Sequence, residues 1–120
     1  MPHRLVVALL ALAVASPGGC GGAGGSAVCP DDVIDACPSV GPTFAVDAAP
    51  VIQGHCMKCH TPGGPAQKYP FETYAQIFPF AGDMKLMLET CQMPPSSEPT
   101  LTADERRKLF GWIACGPLDN

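Results

Sequence analysis

Charge is scarce in this chain: Asp, Glu, Lys and Arg make up only 15% of its 120 residues. Lys and Arg number 7 against 11 Asp and Glu, a net charge of −4 at pH 7. Binding to phosphate backbones needs a basic face, so nucleic acid is excluded as a partner. Aromatic residues are also few, 7% with a single Trp, so large apolar side chains alone cannot fill a substantial core. The longest apolar run, Leu5 to Val14, is too short to span a bilayer as a helix. Apolar–polar alternation of strand type is missing throughout, which excludes a sheet and leaves an all-α reading.

What the chain has instead is 14 Pro, 13 Gly and 7 Cys. His3 and Arg4, the apolar run and the small residues after it form the pattern of a signal peptide over residues 1–19. Two processing outcomes compete. "AVA" at Ala13–Ala15 fits an ordinary cleavage site, whereas Cys20 resembles the lipid-modified cysteine of bacterial lipoproteins, although "SPGG" before it is a poor match to their motif. Cysteine counting favours lipidation and hence a membrane-anchored periplasmic protein. With Cys20, Cys56 and Cys59 set aside, Cys29, Cys37, Cys91 and Cys115 remain as an even set for an oxidising compartment. Past Cys20, 6 Lys and Arg face 11 Asp and Glu, a net charge of −5.

Residues 20–43 read as a Gly/Ala/Ser-rich tether followed by an acidic loop, "CPDDVIDACP", closed by a Cys29–Cys37 disulfide. Residues 44–120 read as the folded domain. Asp47 is placed to cap a short helix running through Pro50 into Cys56. Further short helices are expected over Glu72–Phe78, stopped by Pro79, and over Asp83–Glu89. The clearest element is C-terminal: Thr102 with Glu105 three residues on is a capping box, Leu109, Trp112 and Ile113 recur at helical spacing, and Gly116 is a stop. Trp112 is expected in the core. Helices this short cannot bury enough apolar surface unaided, so a buried group and disulfides are expected to complete the interior.

The stretch "CMKCH", Cys56 to His60, is where chemistry concentrates. By composition alone such a pattern is expected about 0.01 times in a chain like this. In C-x-x-C-H, two thiols one turn apart can add to the two vinyl groups of a haem, and the histidine is aimed at its iron. Zinc would require a fourth compact ligand, and His55 and Cys91 make no recognisable knuckle with the motif. A thioredoxin-like dithiol would require a strand feeding the motif, which the chain lacks. Met93 in "CQMPP" is the candidate second axial ligand, because Pro94 and Pro95 restrict the loop that would hold it. Met57 faces the wrong side, and Met84 and Met87 fit an apolar helical pattern. His55 and Lys58 read as surface positions, His55 with the option of lying at a haem edge.

"CMKCH", then Met93 33 residues after His60 in "QMPP", then "LTADERRKLFGWIACG", resembles the short class I cytochrome c domains, and more narrowly cytochrome-like lipoproteins with a distal MPP loop. The resemblance covers residues 44–118 and is carried by its two ends. It implies a small cytochrome c-like fold around one covalent haem c, with Cys56 and Cys59 as thioether sites, His60 as proximal and Met93 as distal iron ligand. It also implies a proline whose carbonyl orients His60, with Pro62, Pro65 and Pro70 as candidates, and crossed first and last helices. Cys91 and Cys115 have no haem role in that pattern; a bridge between them would tie the Met93 loop to the last helix. The function implied is one-electron transfer with a redox partner protein, for which the chain's acidity favours a basic docking face. The alternatives are an electron-entry module of a partner oxidoreductase, or a haem sensor or peroxidase with a displaceable Met.

Overall fold

The helices are short, and among the described residues threonine side-chain caps start three of the six helical elements. The computed structural model describes residues 29–120, so the signal peptide and Cys20 lie outside the described residues. A π-helical turn, Phe44–Ala48, begins the ordered body, with the Thr43 hydroxyl accepting the Val46 N–H. Asp47 does not cap a helix ahead of it. Its carboxylate instead reaches back to accept the Thr43 N–H at 2.9 Å. Helix α1, Ala49–His55, follows directly with Pro50 in its first turn, where a missing N–H costs nothing.

Helix α2, Tyr74–Ile77, starts at a Thr73/Gln76 capping box and is one turn long. Pro79 does not stop the chain as expected. It occupies the first positions of a 3₁₀ turn, Phe78–Phe80, through which the chain passes into α3, Ala81–Glu89. Both halves of the expected Thr102/Glu105 capping box are formed at the start of α4, Ala103–Ala114. The described residues contain no strand, and the fold is all-α.

The core gathers where α4 meets the π-helical turn and α3. Trp112 and Phe110 are fully buried on α4, with Ile52 of α1 and Ile77 of α2 beside them. Phe44 lies 5.4 Å from the Trp112 ring and 5.2 Å edge-on from Tyr74. The Trp112 indole N–H donates to the Leu118 carbonyl at 2.9 Å, which removes the polar penalty of burying it. Trp112 is therefore a core residue, as its helical spacing implied.

Residues 29–42 are not a self-closed loop. Cys29 pairs with Cys91 and Cys37 with Cys115, so the expected Cys29–Cys37 and Cys91–Cys115 bridges are both corrected. The segment is a strap laid across the ends of α3 and α4. Sequence spacing favoured local pairing; the strap's close seat on α4 selects the long-range one. Gly111 allows that seat, since a Cβ there would sit 2.9 Å from the Pro42 side chain. The strap is also pinned by charge. Arg106, 5% exposed and the one buried charged side chain among the described residues, donates from Nε and Nη2 to the Asp32 carboxylate at 2.8 to 3.0 Å. Two disulfides suit an oxidising, exported environment, and among the described residues no helix is long and apolar enough to cross a membrane.

The Arg106 hydrogen bonds hold the Asp32 carboxyl below its ordinary 3.8. A depressed carboxyl pKa adds stability above the unfolded-state value and loses it as pH falls through the folded-state value. Urea unfolding should therefore show stability declining below about pH 4, with the Asp32→Asn variant declining less steeply there. At pH 7 the same variant should be weaker by about 1–3 kcal/mol, because Arg106 is left without its anion. Replacing Cys29 and Cys91 together by Ser should cost about 2–4 kcal/mol in the same measurement.

Candidate functional site: an apolar cavity at the end of α1

Helix α1 does not end cleanly at His55. The Cys56 N–H still reaches the Ile52 carbonyl at 2.8 Å, and the N–H groups of Cys59 and His60 both bond to the Cys56 carbonyl, at 3.1 and 3.0 Å. This extra turn carries Cys56, Cys59 and His60 as one rigid unit. The following loop folds back onto it, with Ala66 N–H on the Cys59 carbonyl at 3.0 Å and Phe71 N–H on the His60 carbonyl at 2.9 Å. Gly64 is required there, because a Cβ would lie 2.4 Å from the Cys59 carbonyl oxygen.

The His60 ring is oriented twice. Its face stacks on buried Phe71, with centroids 4.2 Å apart and planes within 9°. Its Nδ1 lies 2.7 Å from the Tyr69 carbonyl oxygen. A carbonyl can only accept, so Nδ1 carries a proton, which in the neutral ring leaves the lone pair on Nε2. None of Pro62, Pro65 and Pro70 supplies this carbonyl, so the expected proline carbonyl is corrected to that of Tyr69, the residue before Pro70. A rigidly held imidazole with a free Nε2 is the form that ligates a metal.

Cys56, Cys59 and His60 line a cavity of about 490 Å³, within the roughly 300–1,000 Å³ typical of small-molecule and cofactor sites. Met93, Pro94 and Pro95 line it too, so the loop expected to carry the second ligand does share the cavity with the motif. Met84 and Met87 of α3 also reach it, Met84 buried and Met87 half-buried, whereas Met57 packs against the core outside it. Met93 is 40% exposed, which places it towards the mouth.

Polar groups in the cavity wall are few. His55 lies in it, with Nε2 2.9 Å from Glu105. The Thr102 backbone N–H is the main reason the Glu105 carboxyl sits below its usual range, and His55 adds to it. Lys58 is exposed as expected, yet it is not free: its ammonium donates to both Glu98 oxygens, at 2.7 and 2.8 Å, joining the motif to the far end of the Met93 loop. That contact raises the Lys58 pKa, and at so exposed a site it contributes little stability.

The Cys56 thiol is pushed up to about 11, mainly by burial and further by Cys59. A redox dithiol or nucleophilic cysteine needs the reverse, a depressed pKa. The metal-binding expectation is corrected: among the described residues no group of three or more His, Cys, Asp or Glu is placed to hold a metal ion. His60 and Met93, the two residues expected as axial donors, both line the cavity. They fit a group that brings its own equatorial ligands, and the apolar walls fit a flat hydrophobic body.

Compared with known proteins, the chain matches no family model, no curated protein and no solved structure.

Two contributors to the site were missed in the sequence. The Tyr69 carbonyl has no side-chain signature, and Glu98 carries a signal only once its loop is known to face Lys58. The backbone at the motif gives a direct check. Gly64→Ala should cost about 1–3 kcal/mol in thermal or urea unfolding, because its clash is with a backbone carbonyl. Gly54→Ala, in α1 with open space around it, should instead gain up to about 1 kcal/mol.

Proposed function

We propose that this chain is an exported c-type cytochrome that carries one electron at a time on a single haem c. The observation behind this reading is the convergence of Cys56, Cys59, an oriented His60 and Met93 on one apolar cavity. In this reading Cys56 and Cys59 would hold the haem covalently and His60 and Met93 would ligate its iron, in a small cytochrome c-like fold. When bound, the haem supplies a one-electron change at its iron.

The chain's own work is to hold, orient and exclude water. The Tyr69 carbonyl keeps the His60 proton on Nδ1 and so keeps Nε2 available. The apolar wall lowers the local dielectric, which disfavours the more highly charged oxidation state. Met93, as an iron ligand, would favour the reduced state and a higher potential. The two disulfides agree with a periplasmic setting, and Cys20 is the proposed lipid anchor. The acidic chain would meet a redox partner through a basic face. The 40% exposure of Met93 favours a second reading, in which a small ligand displaces it and the domain senses or reduces that ligand.

The mature protein, expressed with a haem-attachment system, should retain its haem through acid–acetone extraction and show a far-red methionine-to-iron charge-transfer band. Met93→Ala should abolish the band and lower the potential, by on the order of 100 mV out of the roughly 0.8 V that axial ligands command. Covalent haem without the band in the parent would transfer support to the sensor or peroxidase reading. No covalent haem at all would overturn both.

A further inference from the structure

Helix α3 ends in an unusual way immediately before Met93. Cys91 sits at φ 52, the left-handed region where glycine is the usual residue. Its N–H bonds to the Leu88 carbonyl at 3.2 Å and that of Gln92 to the Met87 carbonyl at 2.9 Å, the pair of bonds that defines a Schellman cap. The Met93 N–H joins the same Met87 carbonyl at 3.2 Å. The direction in which Met93 leaves α3 is therefore set by this cap. A non-glycine residue is disfavoured in this conformation, so surrounding contacts must hold it.

Those contacts come from the strap and from α4. Arg106 Nη1 donates to the Leu88 carbonyl at 3.0 Å, placing a cation on the C-terminal end of α3. The other edge of the same guanidinium is clamped by Asp32, and its central carbon lies 5.1 Å over the centre of the Phe110 ring. The disulfide from Cys29, three residues before Asp32, is anchored at Cys91 itself. Strap, α4 and cap thus meet on one guanidinium, at the Leu88 carbonyl, five residues before Met93.

We infer that Arg106 and Asp32 are positioning residues for Met93, holding the α3 cap so that its thioether stays on the iron. This rests on the haem reading above. Neither residue lines the cavity; their link to Met93 is the Leu88 carbonyl and the backbone of residues 88–93 that follows it. Lysine at 106 would keep a charge but lose the fork that bonds Asp32 and Leu88 together.

The test is imidazole titration of the oxidised holoprotein, read as loss of the methionine-to-iron band. Arg106→Lys and Asp32→Asn should each bind imidazole about tenfold more tightly than the parent, because a loosened Met93 loop competes less well. Ile77→Ala removes core volume from α2, away from the cap, and should lower stability while leaving the imidazole affinity at the parental value. If the two clamp variants fold with the band intact and titrate like the parent, the inference is overturned. It is equally overturned if Ile77→Ala tightens imidazole as much as they do, since general loosening then suffices. Should Arg106→Lys fail to fold, Asp32→Asn carries the test by the same criterion. A parent without haem or without the band overturns the haem reading itself, and is recognised before any variant is made.

Discussion

The structure depends on two covalent ties between an N-terminal strap and the far ends of two helices. Cys29–Cys91 and Cys37–Cys115 close stretches of 62 and 78 residues. The two helices they reach, α3 and α4, have nine and twelve residues, too few to be stable without tertiary support. Cross-links over such spans remove much of the unfolded chain's freedom. They let a body with few large apolar residues keep an open cavity at its centre where a larger domain would have a packed interior.

Around that cavity the division of labour is clear. One wall is rigid because α1 continues past its nominal end and the loop behind it is hydrogen-bonded back, so that His60 is held by a stacked ring and a carbonyl at once. The other contributor, the Met93 loop, has no helix of its own. It takes its direction from the cap of α3, its far end from the Lys58–Glu98 pair, and its anchor from the disulfide at Cys91. Charge plays a supporting part: the one buried cation is fully paired, and no buried side-chain polar atom among the described residues lacks a partner.

How far the sequence could be read depended on the range of each interaction. The α4 capping box and the Trp112 stripe are local and were legible, as was the grouping of Cys56, Cys59 and His60. The placement of Met93 in the same cavity was legible from its prolines. Pro79 misled because the rule that proline stops a helix omits its tolerance in the first turn of the next element. Disulfide partners were missed because four cysteines admit three pairings and nothing local distinguishes them. The Asp32–Arg106 contact spans 74 positions, and the left-handed cap sits on a cysteine, which gives no glycine-like signal. The cytochrome-like resemblance guided where to look for ligands, but it carried no information about the strap.

The strap has a consequence for the order of events in the life of the chain. Cys29 and Cys37 leave the ribosome, and would emerge into an oxidising space, well before Cys91 and Cys115. Between them lie Cys56 and Cys59, two more thiols that could be captured wrongly; six thiols allow 15 pairings. The native arrangement can be sealed only after the last helix has arrived and laid its Gly111 face under the strap. Completion of the native pairing therefore waits for the C-terminal end of the chain.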